Sequence, residues 1–166
     1  MNGKLIGIFL IAAGVIGGAA MYWLQVYAFY ERLDDVALTV TDGGVAQPLD
    51  VSNLQAIDAT SSPIRFRACF DIAGDVAGDP CPDATPLNTP GWFDCFDAEA
   101  IGDALATGTA QAYLGQFNVI YGIDRVIAVF PDGRAFAWHQ INACGEEVFD
   151  GNPPPDGCPP VPEGTE

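Results

Sequence analysis

An uncharged apolar run from Leu5 to Leu24 constrains this chain more than any other feature. A run of about 20 apolar residues can cross the hydrocarbon core of a bilayer as a helix that satisfies its own backbone hydrogen bonds. The alternative is a cleaved signal peptide, with Lys4 as its basic start and Gly18 and Ala20 around its cleavage site. Because the apolar character continues through residues 21–24, we favour a retained membrane anchor. A buried core helix is disfavoured, since the run is apolar on all sides.

Charges and aromatic residues at the ends of the run predict its orientation. Lys4 precedes the run, which favours a cytoplasmic N-terminus, although Arg32 opposes this from the other end. Aromatic rings at the C-terminal end of the run and just after it are typical of the membrane–water interface, and they are Tyr22, Trp23, Tyr27, Phe29 and Tyr30. We therefore expect a single-pass protein of the bacterial inner membrane, with its C-terminal domain in the periplasm.

Glycines within the run predict a helix-packing face. Gly3, Gly7, Gly14 and Gly18 recur at intervals of four and seven residues, and Gly14 and Gly18 form a GxxxG pattern. A helix face without side chains allows a second helix to approach closely. Gly is also common in membrane helices without such a role. We expect Gly7, Gly14 and Gly18 to contact a partner protein in the membrane.

The rest of the chain is strongly acidic. The 166 residues carry a formal net charge of −16, and every carboxylate except that of Glu31 follows Arg32. This charge argues against nucleic acid as a partner, because phosphates demand Lys and Arg. It suits a basic protein partner, in addition to the lipid bilayer that holds the anchor.

Five cysteines predict disulfides on the oxidising side of a membrane. Cys144 with Cys158 is the pair we favour first, because the Gly- and Pro-rich segment between them folds the tail back. Cys69 with Cys95 is the second, which leaves Cys81 free. With no CxxC motif and a single His in the chain, we expect neither a metal site nor a cofactor.

Alternating hydrophobic patterns and turn residues predict an α+β domain in which one helix packs on a small antiparallel sheet. The helix extends from the N-cap Asp97 to Gly108, and residues 71–90 form a long acidic surface loop. The predicted strands are 36–40, 45–51, 64–70, 109–114, 123–130 and 135–141, with 54–57 ambiguous. We divide the chain into an anchor with an aromatic belt at 1–30, a charged stalk at 31–35, a domain at 36–158 and a flexible tail at 159–166.

No constellation of residues predicts a catalytic site. His139 has no Ser, Cys or carboxylate beside it in a recognisable motif, so we interpret it as a structural or binding residue. Arg65 and Arg67 lie two residues apart on one predicted strand, where guanidiniums about 7 Å apart can clamp an anion or pair with nearby Asp residues. Trp92 and Trp138 are core residues or, if exposed, anchors for a partner.

Four segments resemble an uncharacterised family of alphaproteobacterial membrane-anchored envelope proteins. The similar residues are Tyr-Trp-Leu-Gln-Val-Tyr-Ala-Phe-Tyr at 22–30, Ser-Ser-Pro-Ile-Arg-Phe-Arg-Ala-Cys-Phe at 61–70, Gly-Trp-Phe-Asp-Cys-Phe-Asp at 91–97, and Trp-His-Gln-Ile-Asn at 138–142, followed by Cys-Gly-Glu at 144–146. The resemblance implies one domain behind an anchor and no catalytic residues. Some members carry a histidine kinase label, but this chain has no room for a phosphoacceptor helix and an ATP-binding domain.

These features together favour a non-catalytic interaction module of the periplasm. We expect an accessory or assembly subunit of an inner-membrane complex, such as a respiratory or electron-transfer complex, that binds through its transmembrane helix and its acidic domain. Two alternatives remain open: a thiol-dependent redox or assembly enzyme that uses one of the cysteines, and a sensor domain that binds a small anion at Arg65 and Arg67.

Overall fold

A computed structural model describes residues 3–164, which form a long N-terminal helix and one α+β domain. Residues 1–2 of the predicted anchor and 165–166 of the predicted tail lie outside the described residues. Helix α1 covers Gly3–Trp23 and continues as a π-helical turn over Leu24–Ala28. Within the described chain, this helix is the one segment long and apolar enough to cross a membrane, and none of its most apolar window is buried against the domain.

The domain is built on a six-stranded antiparallel sheet and a separate two-stranded hairpin. The strands are β1 (Glu31–Leu33), β2 (Thr39–Asp42), β3 (Val45–Pro48), β4 (Val51–Asp58), β5 (Arg67–Ile72), β6 (Gln111–Ile120), β7 (Ile123–Val129) and β8 (Arg134–Ile141). The large sheet has the order β1-β4-β5-β8-β7-β6, and β2 pairs with β3 in the hairpin. The hairpin reverses at Gly43 and Gly44, whose positive φ angles of 56° and 79° suit its tight turn.

Both faces of the large sheet are covered, because side chains alternate between two hydrophobic clusters along each strand. On the hairpin face, Phe66, Ala68 and Phe70 pack with Leu38, which precedes the hairpin strands. On the helix face, the members are Ile57, Cys69, Phe93, Phe96, Ile101, Val126, Ala128, Phe136 and Trp138. The alternation predicted for 64–70 is therefore present, although β5 begins only at Arg67.

Two helices accompany the sheet in the domain. Helix α2 (Ala98–Ala106) buries Ile101 on the helix face, and the Asp97 carboxylate accepts a hydrogen bond from the Ala100 N–H as its N-cap. The predicted packed helix is confirmed. Helix α3 (Ala143–Phe149) was not predicted. It packs so closely on the β6–β7 turn that a Cβ at Gly145 would overlap the carbonyl of Gly122.

The predicted stalk at 31–35 needs correction. Its first three residues form β1, the edge strand of the sheet, with Glu31 opposite Asp58 and Leu33 opposite Ala56. Charged side chains are common on edge strands, where they discourage pairing with other chains. No free linker therefore separates the π-helical turn from the sheet. The predicted α+β class with an N-terminal apolar helix is confirmed.

Two disulfides tie the domain together, and they are the pairs that the sequence favours. Cys69 in β5 is bonded to Cys95 in the irregular segment before α2, and Cys144 in α3 is bonded to Cys158 at the end of the domain. Cys81 is a free thiol and is half-buried. Disulfides persist in oxidising compartments, so these bonds fit an extracytoplasmic domain.

We predict that the double variant Cys69→Ala with Cys95→Ala lowers the free energy of unfolding by roughly 3–4 kcal/mol, because the bond closes a loop of this length in the unfolded chain. Chemical denaturation of the full-length protein in a mild detergent measures the change. Cys81→Ala is the matched control and should cost about 1 kcal/mol or less. Equal losses in the two variants would contradict a stabilising role for the disulfide.

Candidate functional site

His139 lies on the hairpin face, where both of its ring nitrogens are engaged. Nδ1 donates to the carbonyl of Pro63 at 2.8 Å, and Nε2 accepts from the Nε–H of Arg125 at 3.1 Å, which fixes the neutral tautomer. The imidazole also stacks on Phe66, with ring centroids 4.7 Å apart. Burial, together with the nearby charges of Arg125 and Arg67, lowers the pKa of His139 to about 4, although the hydrogen bond to Pro63 acts in the opposite direction. A neutral ring with no free nitrogen is suited to holding strands together.

Arg125, which sequence reasoning missed, is the partner that fixes His139. It lies opposite His139 on the neighbouring strand β7. Its guanidinium carbon is 4.4 Å from the centroid of the Phe66 ring, and an Nη1–H donates to the carbonyl of Ala37 at 3.3 Å. The alternation of β7 could have predicted that Arg125 faces this cluster, because Ile127, two residues later, lies on the same face of the strand.

Asp58 is a carboxylate close enough for its charge to act on Arg125. It lines a cavity of about 350 Å³ together with Glu31, Pro63, Ile120 and His139. Burial raises the pKa of Asp58, although its oxygen accepts the Ala59 N–H at 2.7 Å. The carboxyl therefore binds the next backbone N–H at the end of β4, and no ion pair joins it to Arg125 within the described residues.

Arg67 is not available as half of an anion clamp. The residue is only 4% exposed and lies on the helix face. Its N–H groups donate to four backbone carbonyls, those of Ile64, Phe66, Leu87 and Asn88. Burial lowers the pKa of Arg67 to about 10, so it remains charged at neutral pH. Most of its donors are occupied in holding irregular chain on the sheet.

Arg65 differs from Arg67 in its surroundings. It precedes β5 and is half-buried, and its guanidinium carbon lies 5.4 Å from the centroid of the Tyr30 ring. Within the described residues its side chain makes no hydrogen bond or ion pair. The two arginines line one cavity of about 700 Å³ with Gln25, Tyr30 and Ser62. Sequence reasoning missed Gln25 and Tyr30 as neighbours, because they lie at least 35 residues from either arginine along the chain.

The two tryptophans of the domain have different roles. Trp138 is fully buried on the helix face, and its indole N–H donates to Gln140 at 3.1 Å. Trp92 is half-buried, and its indole N–H donates to the carbonyl of Val26 at 2.7 Å. The rings of Tyr27 and Tyr30 pack against it, with centroids 6.1 and 5.9 Å away. Trp92 therefore joins the domain to the end of the anchor.

Gly7, Gly14 and Gly18 line α1 where the described chain makes no tertiary contact. Apart from the adjoining residues and backbone of the helix itself, no described atom lies within 4 Å of a Cβ built on any of them. Among residues 3–164, no group of three or more His, Cys, Asp or Glu side chains is placed to hold a metal ion.

Comparison with known proteins identifies the family. A model of a family of unknown function, DUF6446, matches residues 36–159. The chain belongs to the DUF6446 family. No curated protein and no solved structure matches it. Family membership agrees with the resemblance to uncharacterised proteins and assigns no activity.

We predict that protonation of His139 destabilises the fold at low pH. Its pKa is near 6.5 in the unfolded chain and about 4 in the folded one, so its stabilisation is complete above pH 6.5 and is lost as the pH falls towards 4. The stability difference between wild type and His139→Gln should shrink by about 3 kcal/mol over this window. Urea unfolding of both proteins at several pH values measures this difference. Asp58 also titrates at low pH, but it does so in both proteins, so its effect cancels in the comparison. A pH-independent difference would contradict the prediction.

We predict that the Cys81 thiol reacts slowly in the folded protein. Burial, with Asp124 and Asp83 nearby, raises its pKa to about 11 from 9.0. The thiolate, which is the reactive form, should be roughly 100-fold less populated at neutral pH. Labelling with N-ethylmaleimide should accelerate by at least that factor on unfolding with the disulfides intact, and Cys81→Ala provides the background. Rapid labelling of the native protein would support thiol chemistry instead.

Proposed function

We propose that the protein is a non-catalytic docking module of the bacterial inner membrane. In this proposal the N-terminus is cytoplasmic, the domain is periplasmic, and the protein serves as an accessory or assembly subunit of an inner-membrane complex. Lys4 before the anchor supports the orientation, and the two disulfides support the periplasmic location.

The observation that carries the proposal is the direct joint between anchor and domain. The indole of Trp92 bonds to the Val26 carbonyl, Tyr27 and Tyr30 pack on the same ring, and Glu31 already begins β1. A domain on a flexible linker samples many heights and angles above a membrane. A joint of this kind restricts them, which suits a module that presents one surface to a neighbouring membrane subunit.

The state of the reactive side chains supports docking over catalysis. In the described part of the chain, His139 has both nitrogens bonded, Arg67 donates to carbonyls and the Cys81 thiol has a raised pKa. A general base or nucleophile needs an accessible atom with a suitable pKa. Neither His139 nor Cys81 offers one, so the thiol enzyme is the weaker proposal.

The anchor helix supplies the partner surface within the membrane. The described residues of α1 bury no side chain, so the face of Gly7, Gly14 and Gly18 is open to a second helix. Close backbone approach at small residues is the common way for membrane helices to associate.

We predict that Gly14→Leu with Gly18→Leu releases the partner complex. Two Leu side chains block close approach, and a loss of about 1–2 kcal/mol corresponds to roughly a five- to thirtyfold weaker association. Tagged full-length protein is purified from mildly solubilised membranes, and companion membrane proteins are quantified by mass spectrometry.

The control for this experiment is Ala12→Leu with Ala20→Leu. At about 100° per residue these positions lie on the opposite face of α1, so the control places the same two Leu side chains away from the glycines. The companion should persist in the control. Purification of the wild type as a monomer without a companion would overturn the proposed function, and equal loss in both variants would reject the glycine face.

A further inference from the structure

A cavity of about 700 Å³ lies where the anchor meets the domain. The end of the anchor contributes Gln25, Val26 and Tyr30, and the loop before β5 contributes Ser62 and Arg65. Residues 87–90 of the long loop complete the lining. The cavity therefore opens beside the last turn of the helix that could span the membrane.

The lining of this cavity has the opposite charge to the chain. It contains the side chains of Arg65 and Arg67 and no carboxylate, in a protein with 22 acidic and six basic residues. Three other cavities, each lined by at least two carboxylates, follow the composition of the chain. A site that gathers cations in so acidic a protein favours an anionic ligand.

The guanidinium N–H groups of Arg65 are available to a ligand. Arg67 is bonded to carbonyls, Arg125 to His139 and Ala37, and Arg134 to Asp132. The guanidinium of Arg65 instead rests on the Tyr30 ring, and in the described chain none of its N–H groups has an acceptor. Gln25, Ser62 and Asn88 also line the cavity and make no side-chain hydrogen bond among the described residues. The cavity thus offers several unpaired donors, the chemistry that a phosphate group requires.

The aromatic rings around the cavity indicate its depth in the membrane. Tyr and Trp settle at the level of the lipid headgroups, and here Tyr27, Tyr30 and Trp92 are packed together at the end of the anchor. Arg32 lies over the Trp92 ring at 5.3 Å and adds a third positive charge near those of Arg65 and Arg67. At this depth, the phosphate of a lipid headgroup is the anion expected next to the cavity.

We propose that this cavity binds the phosphate of an anionic phospholipid headgroup, with Arg65 as its main ligand and Arg67 as a fixed positive charge behind it. The lipid holds the acidic domain at the membrane surface, next to the joint formed by Trp92. This role needs the anchor but no protein partner, so it stands or falls separately from the docking function.

The test uses the full-length protein in a neutral detergent and lipid titration followed by native mass spectrometry. Phosphatidylglycerol should bind at least about tenfold more tightly than phosphatidylcholine, whose choline group shields the phosphate, because charged hydrogen bonds to a guanidinium are lost. Arg65→Gln should reduce phosphatidylglycerol binding to the level of phosphatidylcholine, and Arg65→Lys should retain part of the preference. Arg134→Gln, an exposed arginine outside the cavity, is the matched control and should bind like the wild type.

Inorganic phosphate distinguishes a lipid from a free anion as the ligand. At millimolar concentration it should not displace phosphatidylglycerol; displacement would assign the cavity to a soluble phosphate and overturn the lipid proposal. Equal binding of the two lipids, or unchanged binding by Arg65→Gln, would overturn it as well. Thermal unfolding checks that Arg65→Gln remains folded. If it does not, Arg65→Lys decides: a reduced preference for phosphatidylglycerol supports the proposal, and an unchanged preference overturns it.

Discussion

One half of the domain depends on the hydrogen bonds that the buried guanidinium of Arg67 donates to backbone carbonyls. Irregular chain, more than helix, covers the helix face of the sheet, and such chain leaves carbonyls that need partners. Arg67 supplies charged N–H donors to four of them, on both sides of the gap between residues 64–66 and 87–88. An unpaired buried acceptor costs about 1–3 kcal/mol. Arg67 satisfies the carbonyl of the buried Phe66 and three that are less buried, so a single side chain stabilises this cover.

The same cover determines how the domain meets its anchor. Beyond the residues held by Arg67, the loop places Phe93 and Phe96 in the core, and the Cys69–Cys95 disulfide ties it to β5. Trp92 lies between these fixed points, so its indole has little freedom when it bonds to the Val26 carbonyl. The orientation of the anchor end thus follows from the packing of a loop.

Local patterns in the sequence were sufficient for the elements that depend on their own residues. Asp97 and Gly108 marked the ends of α2, and the alternation around Phe66 separated the two faces of β5. Elements that depend on distant partners were missed. Glu31 and Arg32 suggest a solvated stalk unless β4 is known to lie beside them, and α3 is too short for a periodic pattern. The burial of Arg67 contradicts the usual exposure of charged residues, and only the loop carbonyls explain it.

The arginines at the anchor end show why a site can form in so acidic a chain. An arginine paired with a carboxylate forms a neutral unit, whereas an arginine on an aromatic ring keeps its charge while the ring covers its planar surface. Arg32 lies on Trp92 and Arg65 on Tyr30, so both remain positive although carboxylates are abundant. The nearby Asp58 is engaged with the Ala59 N–H, and burial raises its pKa. The aromatic rings that join the N-terminal helix to the domain therefore also preserve positive charge at the end of that helix.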